Sequence, residues 1–223
     1  MDLIVAVCRT LANRARLRLL RAIHAQPDIT VQALASATAL LVPEVSKHLK
    51  MLGGFHLIRA RPQGRFVHYA PAGPGSASHP FLQDMQSLVR DMFGSATSNS
   101  TLRKVWNFTP SPEVAAEEEL FMKLFTTYTH LRRLMILRCL LQAGPLSTDQ
   151  LAGRLKMSGP AMHRHLNKLQ RRAVVTVTAK RPQVWCLARP TDFAFRRQLL
   201  DNVLRSLKPT TGRRIEKRNS TLS

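Results

Sequence analysis

The sequence predicts a mainly α-helical fold with small β-hairpins, built as two tandem copies of one domain. Three observations lead to this prediction. The stretch PEVSKHLKML at 43–52 is followed 117 residues later by PAMHRHLNKL at 160–169. Apolar residues around both stretches recur at helical spacing, and short alternating segments with a turn follow each of them. The length of 223 residues is enough for two modest domains.

The similarity between the two parts of the chain extends well beyond these stretches. A shift of 117 positions aligns 16–70 with 133–187 without a gap, and 11 of the 55 aligned positions are identical. An ungapped alignment with matching apolar positions indicates an internal duplication. We therefore expect four segments, namely a first domain at 1–93, a linker at 94–112, a second domain at 113–207 and a basic disordered tail at 208–223.

In the first copy, local signals predict two helices before the repeated stretch. Asn13 is a suitable N-cap for a helix that runs to about Ala25, because its side chain can accept a hydrogen bond from the first turn. Thr30 can cap a shorter helix that reaches Ala39 in the same way.

The repeated stretch itself predicts a third helix and then a hairpin. Pro43 stands in the first helical turn, where its missing N–H costs no hydrogen bond. Gly53 and Gly54 are expected to end this helix. LIRARPQGRFVHY then predicts two short strands joined by a Pro-Gln-Gly turn. The side chains of the third helix predicted to face the core are Val45, His48, Leu49 and Leu52.

The second copy carries the same signals in the same order. A helix is expected at about 131–142, Ser147 caps the next helix, and Pro160 opens the third. A hairpin is expected from about Val174 to Leu187, with its turn near 180–182. Helices in this order followed by a hairpin form a winged helix-turn-helix domain, in which the third helix is the recognition helix and the hairpin is the wing.

Apolar helices are also predicted before and after each core. Apolar stripes at helical spacing in 81–93 and 195–207 predict a last helix for each copy. The same pattern precedes each core, at 3–11 and at 120–128. The acidic run at 117–119 is expected to lie on a solvated helix surface.

Net charge is the strongest functional signal in the composition. The chain holds 34 Lys and Arg against 13 Asp and Glu, which gives +21. The excess lies on both copies, with +7 on residues 1–72 and +8 on residues 113–190. A compact protein with this excess favours a polyanionic partner, either nucleic acid or an anionic membrane surface.

Several classes of protein are not supported by the sequence. The apolar runs are short and interrupted by arginines, so no transmembrane helix is expected, and the N-terminus lacks the features of a signal peptide. The three cysteines are far apart, which fits a reducing cytoplasm and provides no paired metal-binding motif. HExxH, GxGxxG, P-loop and GxSxG motifs are missing, so we predict no enzymatic activity, no cofactor and no metal site.

The motifs resemble those of one family of regulators. ANRARLRLLRAI, ITVQALA, PEVSKHLKML and LIRARPQGRFVHYA together resemble the ArsR family of bacterial and archaeal winged-helix transcriptional regulators. The resemblance implies DNA binding and dimerisation through the first and last helices. Two copies in one chain permit either a homodimer or an intrachain pseudo-dimer. The family's thiolate metal site is not expected, because the helix before the first recognition helix contains no cysteine.

The recognition helices at 43–53 and 160–171 are predicted to enter the major groove of double-stranded DNA, with basic wings beside them. Lys and Arg side chains can pair with guanine, and Asn with adenine. The two outward faces differ in sequence, so the copies are not expected to read identical half-sites. The residues predicted to contact DNA are Pro43, Ser46, Lys47, Lys50, Arg61, Arg65, His163, Arg164, Asn167, Lys168, Arg171, Lys180 and Arg181.

Other polar residues are expected to act within the fold. His48 and His165 lie beside the apolar stripe in both copies and are predicted to be packed and hydrogen-bonded. Arg16 and Arg133 begin equivalent helices, and the sequence leaves open whether they reach a phosphate or pair with a carboxylate. Packing roles are predicted for Trp106 and Trp185.

Together these features predict a sequence-specific transcriptional regulator that binds double-stranded DNA in the cytoplasm. The alternative is a winged-helix module that serves as a protein-interaction scaffold or binds RNA, because a fold does not dictate a function. Basic side chains on both recognition faces favour DNA over the scaffold. An apolar space between the first and last helices could host a ligand, but nothing in the sequence specifies an effector.

Overall fold

The computed structural model describes residues 1–94, 112–180, 182–190 and 194–208. We call residues 1–94 the first half and residues 112–208 the second half. The predicted linker lies outside the described residues apart from Gly94 and Pro112, and the predicted tail lies outside them apart from Lys208. Within these described ranges, no helix is long and apolar enough to cross a membrane.

The first half forms helices where the capping signals predict them. The Asn13 side chain accepts a hydrogen bond from the Arg16 N–H at 3.0 Å, and the Thr30 side chain accepts one from the Ala33 N–H at 3.3 Å. The elements are α1 (Asp2–Leu11), α2 (Arg14–Ala25), β1 (Ile29–Thr30), α3 (Val31–Thr38), α4 (Val42–Gly54), β2 (Ile58–Gln63), β3 (Phe66–Pro71) and α5 (Pro80–Gly94).

The second half has its elements in the same order. The Ser147 hydroxyl accepts from the Gln150 N–H at 3.2 Å, and the Gln150 side chain accepts from the Ser147 N–H at 2.8 Å, which is a reciprocal capping box. The elements are α6 (Pro112–Thr126), α7 (Leu131–Ala143), β4 (Leu146–Ser147), α8 (Thr148–Leu155), α9 (Gly159–Arg171), β5 (Val175–Lys180), β6 (Gln183–Leu187) and α10 (Ala194–Leu207). This mainly helical fold with small antiparallel sheets is compatible with a winged helix-turn-helix.

Each wing belongs to a three-stranded sheet rather than to a simple hairpin. The strand orders are β1-β3-β2 and β4-β6-β5, and all pairs are antiparallel. The short strands β1 and β4 were not predicted, because two residues carry no readable alternation. Their pairing places Ile29 opposite Tyr69 and Leu146 opposite Trp185, so each short strand ties the wing to the helical core.

The wing turn of the first half lies two residues later than the sequence predicts. Pro62 and Gln63 belong to β2, where Pro62 lies opposite Val67, and the chain reverses at Gly64 and Arg65. Gly64 has a φ of 60°, which suits a tight two-residue hairpin turn. Pro62 is tolerated in the strand because β2 is at the edge of the sheet.

The end of α4 also differs from the prediction. Gly53 and Gly54 are both helical, and the left-handed residue that ends the helix is His56, with a φ of 53°. The Leu57 N–H donates to the Leu52 carbonyl at 3.1 Å, and the His56 N–H donates to the Gly53 carbonyl at 2.9 Å. These two bonds form a Schellman motif, which returns the chain so that Leu57 is buried against the core.

The two halves contact each other within one chain through their first and last helices. α1 packs on α6, and α5 packs on α10. Across the α5–α10 contact, Arg205 pairs with the Asp84 carboxylate at 2.8 Å. Phe121 on α6 lies edge-to-face against Phe93 of α5 and Phe195 of α10, with ring centroids 5.6 and 6.2 Å apart.

The acidic run at 117–119 is not a solvated surface, and that prediction was wrong. Glu118 is buried and accepts hydrogen bonds from Arg18 on α2 at 3.0 Å, while Arg21 lies 3.5 Å from the same carboxylate. Glu117 pairs with Arg21 at 2.5 Å, and Glu119 pairs with Arg14 at 2.8 Å. The run therefore joins α6 of the second half to α2 of the first half. The sequence could not show this, because the partners lie about a hundred residues away along the chain.

Candidate nucleic-acid interface

The predicted recognition helices α4 and α9 each bury one side and expose the other. The buried side chains recur at helical spacing in both helices, which fixes each outward face. The predicted stripe of α4 included His48, but that side chain is only partly buried, at the edge of the stripe. The buried side chains are Val45, Leu49 and Leu52 in α4, and Met162, Leu166 and Leu169 in α9.

The predicted contact residues of both recognition helices are exposed. On α4 these include Lys47 and Lys50, and on α9 they include Arg164 and Arg171. Within the described ranges, none of these four cations has an ion-pair partner. Their charges are therefore available to a polyanion. The exposed contact positions on the two helices are Pro43, Ser46, Lys47, Lys50, His163, Arg164, Asn167, Lys168 and Arg171.

The wing of the first half carries its basic residues on the β2–β3 hairpin. Arg61 is in β2 and Arg65 is in the turn, and both are exposed. The Arg65 guanidinium lies 5.5 Å from the ring centroid of Phe66, which restrains it at the hairpin tip. In the second wing, the side chain of Lys180 and the whole of Arg181 lie outside the described residues.

Among the described residues, neither Arg16 nor Arg133 pairs with a carboxylate. Each guanidinium instead caps the C-terminal carbonyls of the preceding helix. Arg16 Nε donates to the Thr10 carbonyl, and Arg133 Nε donates to the Thr127 carbonyl at 2.6 Å. The Nη2 atom donates to the carbonyl one residue earlier in each case, at 3.1 and 2.7 Å. This arrangement satisfies carbonyls that a helix end leaves unpaired.

His48 and His165 have different surroundings. His48 Nδ1 lies 3.3 Å from Arg16 Nη1, so the histidine accepts a hydrogen bond from the guanidinium. Burial and then the Arg16 charge lower the pKa of His48, which favours this neutral acceptor. The His165 ring instead lies against the His130 ring, with centroids 4.8 Å apart, and burial followed by His130 lowers its pKa. The hydrogen bond predicted for such a residue is thus present for His48.

Trp185 packs in the core, as predicted, whereas Trp106 lies outside the described residues. The Trp185 side chain is fully buried, and its Nε1–H donates to the Thr148 hydroxyl at 3.0 Å. This bond links β6 to the start of α8. Because α8 is held in place by this bond, the loop between α8 and α9 is held in place as well.

A cleft of about 320 Å³ opens between α6, the end of α9 and α10. Its floor includes Leu124 and Val174, but basic side chains stand around it. The expected apolar space is therefore a cleft with a cationic wall. The basic residues that line it are Lys123, Arg171, Arg172 and Arg196.

Two exposed apolar residues at the start of α4 were not among the predicted contacts. Leu41 is the N-cap residue and is 71% exposed, and Val42 begins the helix and is 42% exposed. The readable signal was the residue type, because leucine is strongly disfavoured at an N-cap. The predicted contacts were chosen mainly for their charge and polarity, so Leu41 and Val42 were left out.

Potential metal ligands are not grouped in the part of the chain that the structure describes. Among the described residues, no cluster of three or more His, Cys, Asp or Glu side chains could hold a metal ion. Cys8 is buried, and burial strongly raises the pKa of its thiol.

Comparison with known proteins supports the helix-turn-helix interpretation of the second half. Residues 132–178 match a family of helix-turn-helix domains. The matched segment runs from α7 into β5 and includes the whole of α9. A search of curated proteins found no match to the chain. The matched domain supports DNA binding by this chain.

Proposed function

We propose that this chain is a sequence-specific transcriptional regulator that binds double-stranded DNA with both halves. The observation that carries the proposal is the helix-turn-helix match at 132–178, whose recognition helix presents unpaired cations to solvent. A helix of this kind places its N-terminal residues against base edges in the major groove, while surrounding cations contact phosphates.

The first half supports a second recognition unit of the same kind. Its elements follow the same order, and the carbonyl cap made by Arg16 has its counterpart in Arg133. The Schellman motif of α4 also has a counterpart, because the Val174 N–H donates to the Leu169 carbonyl at 3.0 Å. Common origin of two ArsR-like copies explains these matched details, and we take the domains to be 1–93 and 113–207.

The contacts between the halves support a single-chain pseudo-dimer. First helices pack together and last helices pack together, so one chain supplies both recognition helices. Since the exposed residues of α4 and α9 differ, the expected operator is one composite site whose two parts have different sequences rather than a palindrome.

The deciding experiment is binding of the full chain to duplexes selected from a random pool. We expect a preferred sequence and an affinity that falls steeply with salt, because phosphate contacts release counterions. Lys47→Ala and Arg164→Ala should each weaken binding to the selected duplex by about 1–3 kcal/mol, with specificity relaxed at different positions.

Arg138→Ala is the matched control, since Arg138 is exposed on α7 and is not among the predicted contacts. It removes the same charge as Arg164→Ala but should preserve sequence preference. Equal losses for Arg138→Ala and Arg164→Ala would mean that only net charge matters. Tighter binding to RNA of the selected sequence would favour the RNA alternative.

A further inference from the structure

Large exposed apolar side chains are concentrated in α4 and β3 of the first half. Six such side chains occur in the described ranges, and five of them are on α4, at its N-cap or at the start of β3. Exposed apolar residues scattered singly need no explanation, but a concentration marks an interaction surface. The six are Leu41, Val42, Met51, Phe66, Val67 and Leu131.

Leu41 is the most informative of these residues, because leucine is unfavourable at an N-cap and this leucine is also not buried. An N-cap normally carries a short polar side chain that bonds to the first turn, and leucine offers no such bond. The Leu41 N–H is satisfied by Glu44, at 3.2 Å, but its side chain remains 71% exposed. A residue that improves neither the cap nor the core points to a role in binding.

The equivalent surface of the second half is polar. A shift of 117 residues places Ser158 opposite Leu41 and Gly159 opposite Val42. Ser158 is the N-cap residue of α9, so the two side chains occupy the same position relative to their helices. The halves therefore differ in chemistry where a recognition helix begins.

We infer that the start of α4 reads thymine methyl groups in the major groove. The inference rests on the proposed function and specifies how the first half recognises its part of the site. The N-terminal residues of a recognition helix contact base edges, and the C5-methyl of thymine is the apolar group displayed there. Lys47, exposed on the same helix, would read a neighbouring base edge, and Lys50 would contact a phosphate beside it.

The second half then reads its part of the site by hydrogen bonds. α9 begins with Ser158 and exposes Arg164 and Asn167, whose side chains suit guanine and adenine. One part of the operator should accordingly require thymines, and the other part should require bases read through polar contacts.

Replacement of single thymines by deoxyuridine tests the inference, because it removes the methyl group and leaves base pairing unchanged. The full chain is titrated with the selected duplex in which each thymine is replaced in turn. We expect a loss of about fourfold in affinity for each contacted methyl, confined to one part of the site.

Three variants assign the effect to a side chain. Leu41→Ala should weaken binding to the thymine duplex and remove the sensitivity to deoxyuridine at the contacted positions. Leu131→Ala is the matched control, because it makes the same change at an exposed leucine that belongs to neither α4 nor a wing. Ser158→Ala should keep the full sensitivity of the unaltered protein.

The outcomes separate this inference from the proposed function. Specific binding that ignores every deoxyuridine, or a Leu41→Ala protein that keeps the sensitivity, would overturn the inference and leave the proposed function standing. A Leu41→Ala protein that binds DNA normally but loses a protein partner would assign the surface to that partner instead. Failure to select any sequence would contradict the proposed function itself.

Discussion

The recognition helices of the two halves end alike and begin differently. α4 and α9 both finish in a Schellman motif whose left-handed residue is not glycine, His56 in one case and Ala173 in the other. At their starts, α4 has an exposed leucine where α9 has a serine. The ends serve the core, since the residue that follows each turn is buried, whereas the starts face solvent.

This difference shows which parts of the fold tolerate change. A left-handed residue other than glycine costs roughly 1 kcal/mol, and both halves accept this cost in order to bury Leu57 and Val174. The arginine cap on the preceding helix is likewise common to both halves. The packed framework is therefore alike in the two halves, whereas their surfaces differ.

The contacts between the halves are also unequal. The ion pairs of Glu117, Glu118 and Glu119 join α6 to α2. On α7, which is the equivalent of α2 in the second half, the residues that correspond to Arg14 and Arg18 are Leu131 and Met135. Neither of them can form an ion pair. The positions of α7 equivalent to Arg14 and Arg18 of α2 thus lack the charges that bind the acidic run.

The largest effect is expected at a position where one half has a large core side chain and the other does not. Trp185 is fully buried in the second half, and its equivalent in the first half is His68, which is only partly buried. Trp185→Ala should lower the free energy of unfolding by about 3–5 kcal/mol, because it leaves a cavity and an unpaired Thr148 hydroxyl. Urea denaturation followed by circular dichroism measures the loss.

His68→Ala is the comparison for this change. His68 bonds the Asp28 carbonyl through Nδ1 at 2.7 Å, so its removal should cost about 1 kcal/mol. Similar losses for the two variants would show that the wings of both halves are anchored equally well, contrary to the structure.

A pH-dependent difference is expected at His24, whose equivalent in the second half is Leu141. Burial, followed by the charge of Arg90, lowers the pKa of His24 to about 4. Above about pH 6.5 both folded and unfolded states keep this histidine neutral, so it has no effect there. Between pH 6.5 and 4 the unfolded state binds a proton that the folded state does not, and stability falls by up to about 3 kcal/mol.

His24→Leu introduces into the first half the residue that the second half has at the equivalent position. This variant should lose less stability between pH 6.5 and 4. The comparison is made by urea denaturation at a series of pH values. His48, His130 and His165 also have lowered pKa values, so the variant should retain part of the dependence. An unchanged profile in His24→Leu would exclude this histidine as a source of acid sensitivity.

The smallest of the three effects is expected at the charged side of the contact between the halves. The Glu118 side chain is 3% exposed, and Glu118→Gln removes the charge that faces Arg18 and Arg21. The loss should be about 2 kcal/mol, because charged hydrogen-bond donors lose their partner at a buried site. Thermal and urea unfolding at pH 7 measure it.

Glu119→Gln is the matched control in the same helix. Glu119 pairs with Arg14, but its side chain is 44% exposed, so water screens the interaction. Its loss should stay below about 1 kcal/mol. If Glu119→Gln proved as costly as Glu118→Gln, burial would not be the reason for the strength of the Glu118 pair.

The sequence by itself determined the local elements. Caps at Asn13, Thr30 and Ser147 and the apolar spacing of α4 and α9 were readable because they depend on neighbours a few residues away. The outward faces of the recognition helices followed from the same spacing. Exposure of the predicted contacts was therefore predictable once the buried stripe was known.

Only the tertiary structure decided what those elements contact. Glu118 is buried because α2 of the other half covers it, and Arg16 turns inward because the end of α1 offers carbonyls. The strands β1 and β4 exist only because β3 and β6 lie beside them. Each of these features depends on a surface brought from a distant part of the chain, and spacing within a short stretch of sequence carries no information about such a surface.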